Sequence, residues 1–262
     1  LRTNDQDDEP ERGAARDADA VQVLHRQALI LDCFSRGQPR LRASDVRAAT
    51  DLPATTVARI LRSLVQENLL ARTGDFYSIG LRVMAWSAAA TAGSDLIEAA
   101  KPVVTELRDR TGESSIVYVR QGGSRVAVLI SHSEQSIIYQ GRVGQIQPLN
   151  AGGAGKVFMA YDPEALRAAL DAGLTAYTTN TIVSRERLED DLRETRSRGW
   201  AYAPEERERG LSSMAAPVTD AHGALVGALA IGAPTFRLSL ESAARHAPTL
   251  VDCAKAISQQ LL

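Results

Sequence analysis

Cysteine, lysine and histidine are scarce in this chain of 262 residues, and each scarcity closes off a class of function. Two cysteines, Cys33 and Cys253, are too few for a disulfide framework or a four-cysteine zinc site. They are expected to be inert buried thiols. Four histidines, His25, His132, His222 and His246, stand far apart with no close histidine or cysteine partner, so the expectation is no metal. No apolar run reaches the roughly 18 residues of a membrane span. The first twenty residues have no apolar stretch of the kind a secretory signal needs, and a cytoplasmic location is expected. Lysine occurs three times against 27 arginines.

Enzyme signatures are absent in the same way. Gly155-Lys156 is preceded at the phosphate-loop offset by Asn150 and followed by Val157, so it fails that motif at both places. Gly153-Ala154-Gly155 lacks the third glycine of a dinucleotide fingerprint, and no G-x-S-x-G elbow occurs. The acid pairs Asp190-Asp191 and Glu205-Glu206 read as solvated surface. No catalytic residue, cofactor or metal is assigned.

What remains is informative. Net charge is −2, but it is unevenly spread: residues 1–18 carry −3, residues 19–80 carry +2 with arginine as the only base, and residues 81–262 carry −1. Arginine suits phosphate and guanine edges because the planar guanidinium presents paired donors. An Arg-rich composition throughout is the bland alternative. Residues 1–18 have almost nothing to bury and are expected to be a disordered acidic tail.

From residue 19 to about 35, Val21, Leu24, Ala28 and Leu31 recur at the spacing of one helical face, ended by Gly37 and Pro39. Residues 43–50 suggest a short second helix. Pro53 is well placed as the first residue of a third, running to about Asn68. Projected at 100° per residue, Val57, Ile60, Leu61, Leu64 and Val65 share one side of it, and Thr55, Arg59, Arg62 and Gln66 lie opposite. Gly74-Asp75 then centres a hairpin that pairs Leu70 with Ile79 and Arg72 with Tyr77. Together these make a winged helix-turn-helix. Its outward helix fits a major groove about 12 Å across, with the hairpin along the neighbouring backbone. The candidate contacts to double-stranded DNA are Thr55, Thr56, Arg59 and Arg62 on the helix and Arg72 and Tyr77 on the wing. A merely solvated helix face, or a three-helix protein-interaction module, is the competing reading.

Residues 81–94 read as a linker helix with Leu81, Met84, Ala85, Ala88 and Trp86 apolar, packing either on a second subunit or on the C-terminal domain. Beyond about residue 95 the pattern becomes mixed. A helix at 95–111 precedes strands 114–121 and 124–132, joined by Gly122-Gly123, and SIIYQ (136–140) and a segment to Pro148 continue the series. Helices near 155–160, 163–172 and 185–198, strands near 200–204, 211–218 and 224–232, and a closing helix from 239 complete an α+β domain with an antiparallel sheet. Such a domain can hold a small ligand between sheet and helices.

At this point the residues resemble the IclR family of bacterial transcription regulators. The likeness runs from about residue 20 to the end. It rests on Leu52-Pro53-Ala54-Thr55-Thr56-Val57-Ala58-Arg59-Ile60-Leu61, on Tyr77-Ser78-Ile79-Gly80, on Arg142-Val143-Gly144, and on Pro148-Leu149-Asn150-Ala151-Gly152-Gly153-Ala154-Gly155-Lys156. Asn180-Thr181-Ile182, Arg198-Gly199-Trp200-Ala201, Gly210-Leu211-Ser212-Ser213-Met214-Ala215-Ala216-Pro217 and Ala233-Pro234 follow in order. Ala54, Arg42 and Asn150 depart from the family's usual residues.

The resemblance implies a two-domain α+β fold: an N-terminal winged helix-turn-helix in 19–80, the linker helix 81–94, and a GAF-like effector domain in 95–262 with an antiparallel sheet and flanking helices. It also implies assembly as a homodimer or dimer of dimers. Its effector, a small organic acid, would be held by backbone amides among Gly152, Gly153, Ala154 and Gly155 and by Ser213. The positions where some relatives add polar side chains are Ala203, Ala230 and Gly232 here, which suggests a roomier, less polar pocket suited to a larger, partly apolar acid such as an aromatic or ring-cleavage carboxylate. The alternative from another class is an enzyme or nucleotide sensor on the GAF-like domain, with the N-terminal helices as a protein-interaction module.

Overall fold

A computed structural model of the chain describes residues 22–35 and 38–261. The acidic tail expected at 1–18 lies outside the described residues, as does Val21. The chain divides into two compact units between Ala90 and Thr91.

In the N-terminal unit, helix α1 (22–32) leads through a short 3-10 turn, Cys33–Ser35, to a two-residue strand β1 (Leu41–Arg42). Helices α2 (Ala43–Thr50) and α3 (Ala54–Gln66) and the hairpin β2 (Leu70–Thr73) and β3 (Phe76–Ile79) complete it. The hairpin register pairs Leu70 with Ile79 and Arg72 with Tyr77, as the Gly74-Asp75 centre predicts. Pro53 caps α3 from outside: its carbonyl accepts from Val57 N at 3.0 Å. β1 was not legible, because two residues carry no alternation; it pairs with β3 through Leu41↔Tyr77.

The core of this unit gathers Ile30, Cys33, Phe34, Leu41, Val46, Val57, Ile60, Leu61, Leu64 and Leu70. The face expected for the first helix is therefore corrected at Leu24 and Ala28, whereas Leu31 is half-buried and packs against this core as expected. Leu24 is 68% exposed and Ala28 is also exposed, while Ile30, Cys33 and Phe34 turn inward. The apolar residues of α1 surround much of its circumference, and packing rather than spacing selects the buried side.

Helix α4 (Leu81–Ala92) follows, and none of its residues is buried. Leu81, Met84 and Trp86 are exposed.

The C-terminal unit is a six-stranded antiparallel sheet in the order β6-β5-β4-β9-β8-β7. Its strands are β4 (Ser114–Gln121), β5 (Ser124–Ser131), β6 (Ile146–Pro148), β7 (Ala201–Pro204), β8 (Leu211–Thr219) and β9 (Leu225–Pro234). The helices are α5 (Asp95–Thr111), α6 (Gly153–Tyr161), α7 (Pro163–Asp171), α8 (Arg185–Arg198) and α9 (Leu240–Ser258). Side chains alternate across a strand. Val117, Met214, Leu229 and Ile231 accordingly meet Val103 and Leu107 of α5 and Leu250 and Ile257 of α9. Ile116, Tyr118, Ala215, Ala228 and Ala230 meet the layer made by Val157 and Phe158 of α6, Ala165 of α7 and Leu188 and Leu192 of α8.

Two sheet faces, each covered by helices, give three layers. The α6 face is lined by small residues, and the pocket described below opens there. Residues 136–140 form no strand. They are held instead by side chains: Arg237 Nη2 donates to Ile137 O at 2.7 Å, and Ser114 Oγ donates to Tyr139 O at 3.4 Å. Arg237 is itself fixed by a paired contact with Glu113 at 2.5 and 2.9 Å.

Candidate functional site

The first candidate surface is α3 and its wing. Val57, Ile60, Leu61 and Leu64 are buried, whereas Thr55, Arg59 and Arg62 are exposed and Thr56 is half-buried. Among the described residues neither Arg59 nor Arg62 has a side-chain ion pair or hydrogen bond, so both guanidinium groups face solvent uncommitted. Arg72 is exposed on the wing; its Nε donates to Gly74 O at 2.9 Å and its guanidinium stacks 5.6 Å from the Tyr77 ring centre. Tyr77 is half-buried. Sequence reasoning passed over Arg42 as a basic neighbour. Its guanidinium lies 4.8 Å from the ring of exposed Phe76, and its N–H donates to Asp45 Oδ2 at 2.8 Å, starting α2. The exposed arginine on β1 comes beside the wing only through the β1–β3 pairing.

The second candidate is a pocket of about 440 Å³, mouth included, on the α6 face of the large sheet. Of the eight residues singled out from sequence, Gly152, Ala154, Ala203, Ser213, Ala230 and Gly232 line it, while Gly153 and Gly155 do not. Gly153 N donates to Ser213 Oγ at 3.0 Å, and its Cα packs against the Met214–Ala215 backbone. A Cβ at Gly155 would lie 2.0 Å from Leu149 O and 2.6 Å from Arg125 Nη1. That glycine serves the approach of the chain's own groups. Gly152 N is likewise engaged, donating to Glu206 Oε2 at 3.1 Å.

The expectation of a less polar pocket is corrected. Tyr118, Arg125, Tyr139, Gln147, Glu206 and Arg207 also line it. The space left by the absent Gly232 side chain is taken by Tyr139, whose ring would sit 3.0 Å from a Cβ there. These polar residues come from β4, β5, β6 and two loops, and no local motif links them. One signal was available: in β5, Arg125 alternates in phase with Ala127, so it points inward with it.

Two buried clusters make up the polar wall. In one, Lys156 Nζ meets Glu206 Oε1 at 2.5 Å and Asp191 at 3.1 Å, and donates to Tyr202 O at 2.9 Å. Burial pushes the Glu206 carboxyl above its usual range, although Lys156 and the Gly152 N–H pull it down. Thr178 and Thr181 donate to the Glu205 and Glu206 carbonyls and hold this loop against the segment before α8. In the other, Arg125 Nη2 donates to Gln147 Oε1 at 2.9 Å, and Nη1 donates to Pro148 O. Gln147 Nε2 donates to Tyr139 Oη at 2.8 Å, and Tyr139 Oη lies 3.2 Å from Tyr118 Oη. Burial lowers Arg125 from the ordinary arginine value, with Tyr118 acting against it, and burial raises Tyr118. Arg207 stacks 5.7 Å from the Tyr139 ring centre.

Cys33 and Cys253 are both buried and form no disulfide, and Cys33 Sγ donates to Leu29 O at 3.3 Å. Among the described residues no three His, Cys, Asp or Glu side chains gather where a metal ion could be shared, and no helix is long and apolar enough to cross a membrane.

Residues 23–74 match the IclR helix-turn-helix domain, and residues 88–259 match the family described as bacterial transcriptional regulator IclR, C-terminal. The chain belongs to the IclR family. Among its IclR-family relatives, the glycerol operon regulatory protein of Streptomyces coelicolor is 32% identical, covering 92% of this chain and 96% of that one. The crystal structure of a transcriptional regulator from Rhodococcus sp. RHA1 is 30% identical, with a TM-score of 0.74 and coverage of 92% and 98%. An IclR homologue from Microbacterium hydrocarbonoxydans, crystallised with 4-hydroxybenzoate, is 22% identical with a TM-score of 0.76, covering 91% and 98%. That last likeness is one of fold. The chain is thus an IclR-type transcriptional regulator with a DNA-binding helix-turn-helix and the family's C-terminal domain.

Proposed function

We propose that this regulator binds operator DNA through Thr55, Thr56, Arg59 and Arg62 in the major groove and through Arg72 and Tyr77 along the backbone or minor groove. Operator affinity is modulated by a small organic acid, aromatic by preference, in the C-terminal pocket. Residues 19–80 form the DNA-binding part, 81–94 the linker helix and 95–262 the effector part, with no catalytic residue, metal or cofactor assigned. The observation that carries the reading is the two-sidedness of α3: one side sealed into the core, the other with two arginines that no acidic side chain neutralises among the described residues. A polyanion is the natural counter-charge.

The mechanism is linkage. An effector that prefers one arrangement of paired helix-turn-helix units changes DNA affinity by its differential affinity for the two states. Pairing two half-sites calls for a homodimer or a dimer of dimers, and exposed Leu81, Met84 and Trp86 on α4 are the apolar surface suited to a second copy. Such a protein works in the cytoplasm. Support for an aromatic acid comes from the fold relative crystallised with 4-hydroxybenzoate and from the aromatic lining of the pocket.

Selection of genomic fragments by the purified protein, followed by binding at graded salt with and without 4-hydroxybenzoate, tests the reading. A selected sequence whose affinity falls steeply with log salt and shifts with the acid is expected. Binding without sequence preference would overturn the regulator reading.

A further inference from the structure

We infer that the ligand's carboxylate docks on Arg125, beside an uncommitted phenolic proton of the Tyr118–Tyr139 pair, so that the acid is recognised from β5 and β4. The inference rests on the reading of the pocket as an effector site and names the group that reads the acid.

Arg125 is 3% exposed and lines the pocket, yet no carboxylate pairs with it among the described residues. Its Nε is buried with no hydrogen-bond partner, and Nη2, which has two hydrogens to give, makes one bond, to Gln147. The guanidinium also lies against the start of α6. A Cβ at Gly152 would fall 2.8 Å from Nη2, and one at Gly155 2.6 Å from Nη1. A helix N-terminus carries partial positive charge, so a buried cation and a helix end of the same sign face each other.

Protein carboxylates near this point are committed. Glu206 is held by Lys156 and by the Gly152 amide, and Glu208 is exposed, with Arg207 3.5 Å away. Glu206 favours the Arg125 charge only through space, and the guanidinium lies 5.3 Å from the Tyr118 ring centre; a buried charge so partly compensated is costly, and an anion entering the pocket lowers the cost. An arginine with adjacent free donors takes a carboxylate in a two-pronged contact.

The tyrosines supply a second donor. Tyr139 Oη accepts from Gln147, and the two phenols share one hydrogen bond of 3.2 Å. Each phenol has one hydrogen. Whichever of them donates to the other, one O–H is left with no acceptor among the described residues. The uncommitted groups of this wall are therefore one cation and its neighbouring donors, the complement of an acid. Ile116, Leu211, Ala203 and Ala230 supply the apolar remainder of the lining, and the ligand class is a monocarboxylate with an apolar, flat body. The α6 turn offers less, because the Gly152 and Gly153 N–H groups already donate to Glu206 and Ser213.

Titration calorimetry on the full chain with 4-hydroxybenzoate and its neutral isostere 4-hydroxybenzamide tests this, using wild type, Arg125→Gln, Tyr118→Phe and Ser213→Ala. The acid is expected to bind wild type more tightly than the amide. Arg125→Gln should weaken the acid by about 10- to 100-fold and leave the amide little changed. Tyr118→Phe should weaken the acid severalfold, and Ser213→Ala, which removes the acceptor of the Gly153 N–H, should change acid and amide by the same factor. A merely structural role for Arg125 would weaken both compounds alike, which would overturn the inference. Full acid affinity in Arg125→Gln with a loss confined to the acid in Ser213→Ala would also overturn it while leaving the pocket an effector site. Binding of neither compound to wild type would overturn both the effector reading and this inference. Should Arg125→Gln fail to fold, an acid-to-amide ratio near one in wild type, unmoved by Tyr118→Phe, still overturns it.

Discussion

The same residue type is used in opposite ways in the two units. Arg59 and Arg62 sit on the exposed side of α3 with their charge in water, while Arg125 is sealed beneath the surface of the large sheet with part of its guanidinium unsatisfied. Water screens the first pair, so each keeps its charge at little cost and attracts a distant polyanion. Desolvation makes the second a local feature whose contacts are strong at close range and short in reach. Exposed arginines thus suit a long, uniformly charged partner, and a buried one suits a single small anion of fitting shape.

The sharpest way to break this contrast is at Lys156, the buried cation whose partners are all internal. Lys156→Met leaves Glu206 and Asp191 without their counter-charge and should destabilise the chain by about 3–5 kcal/mol, toward the lower figure if Glu206 takes up a proton. Denaturant unfolding measures it; an unchanged midpoint would show that the buried ions carry no net stability. Next in size, Arg59→Ala should cost about 1–3 kcal/mol of specific operator binding with unfolding unaffected, read by fluorescence anisotropy.

Glu206 gives a third, pH-dependent test. Its pKa in the folded chain lies above the ordinary carboxylate value, so the folded state holds the proton to higher pH than the unfolded state does. The stability this confers is complete below the ordinary carboxylate range and is lost as pH rises through the folded value. Glu206→Gln should therefore gain on wild type in thermal midpoint across that window, then run parallel to it above. A constant difference at all pH would contradict the raised value. Smallest of all, Arg72→Ala on the wing should weaken binding about equally on all sequences and lower the slope of log affinity against log salt by about one. Loss confined to one operator sequence would instead make Arg72 a base reader.

Legibility differed between the units for a physical reason. In α3 the periodicity of Val57, Ile60, Leu61 and Leu64 decides both the buried side and, by exclusion, the exposed one, so the arginine-bearing face could be read locally. Gly74-Asp75 set the hairpin register in the same way. Helix α1 resisted because apolar residues surround it, and only contact with α2 and α3 chooses Ile30 over Leu24.

The glycine segment at the start of α6 was legible as a special site, but the distant groups that its glycines admit were not. Gly155 clears space for Leu149 O and Arg125, and Gly232 for the Tyr139 ring, relations between residues far apart in sequence. The inward phase of Arg125 with Ala127 was readable from alternation. Its lack of an acidic partner among the described residues was not, since that depends on where Glu206, Lys156 and α6 come together.

Local pattern was enough to establish the winged helix-turn-helix and the alternation of the antiparallel sheet, because helix and strand periods and turn chemistry act over a few residues, and the family was legible in the resemblance of its spaced motifs. Tertiary structure alone decided the character of the pocket. Whether a buried charge is neutralised depends on the electrostatic surroundings, and those are assembled from β4, β5, β6, α6 and the loops around Tyr139 and Glu206 only once the sheet has closed.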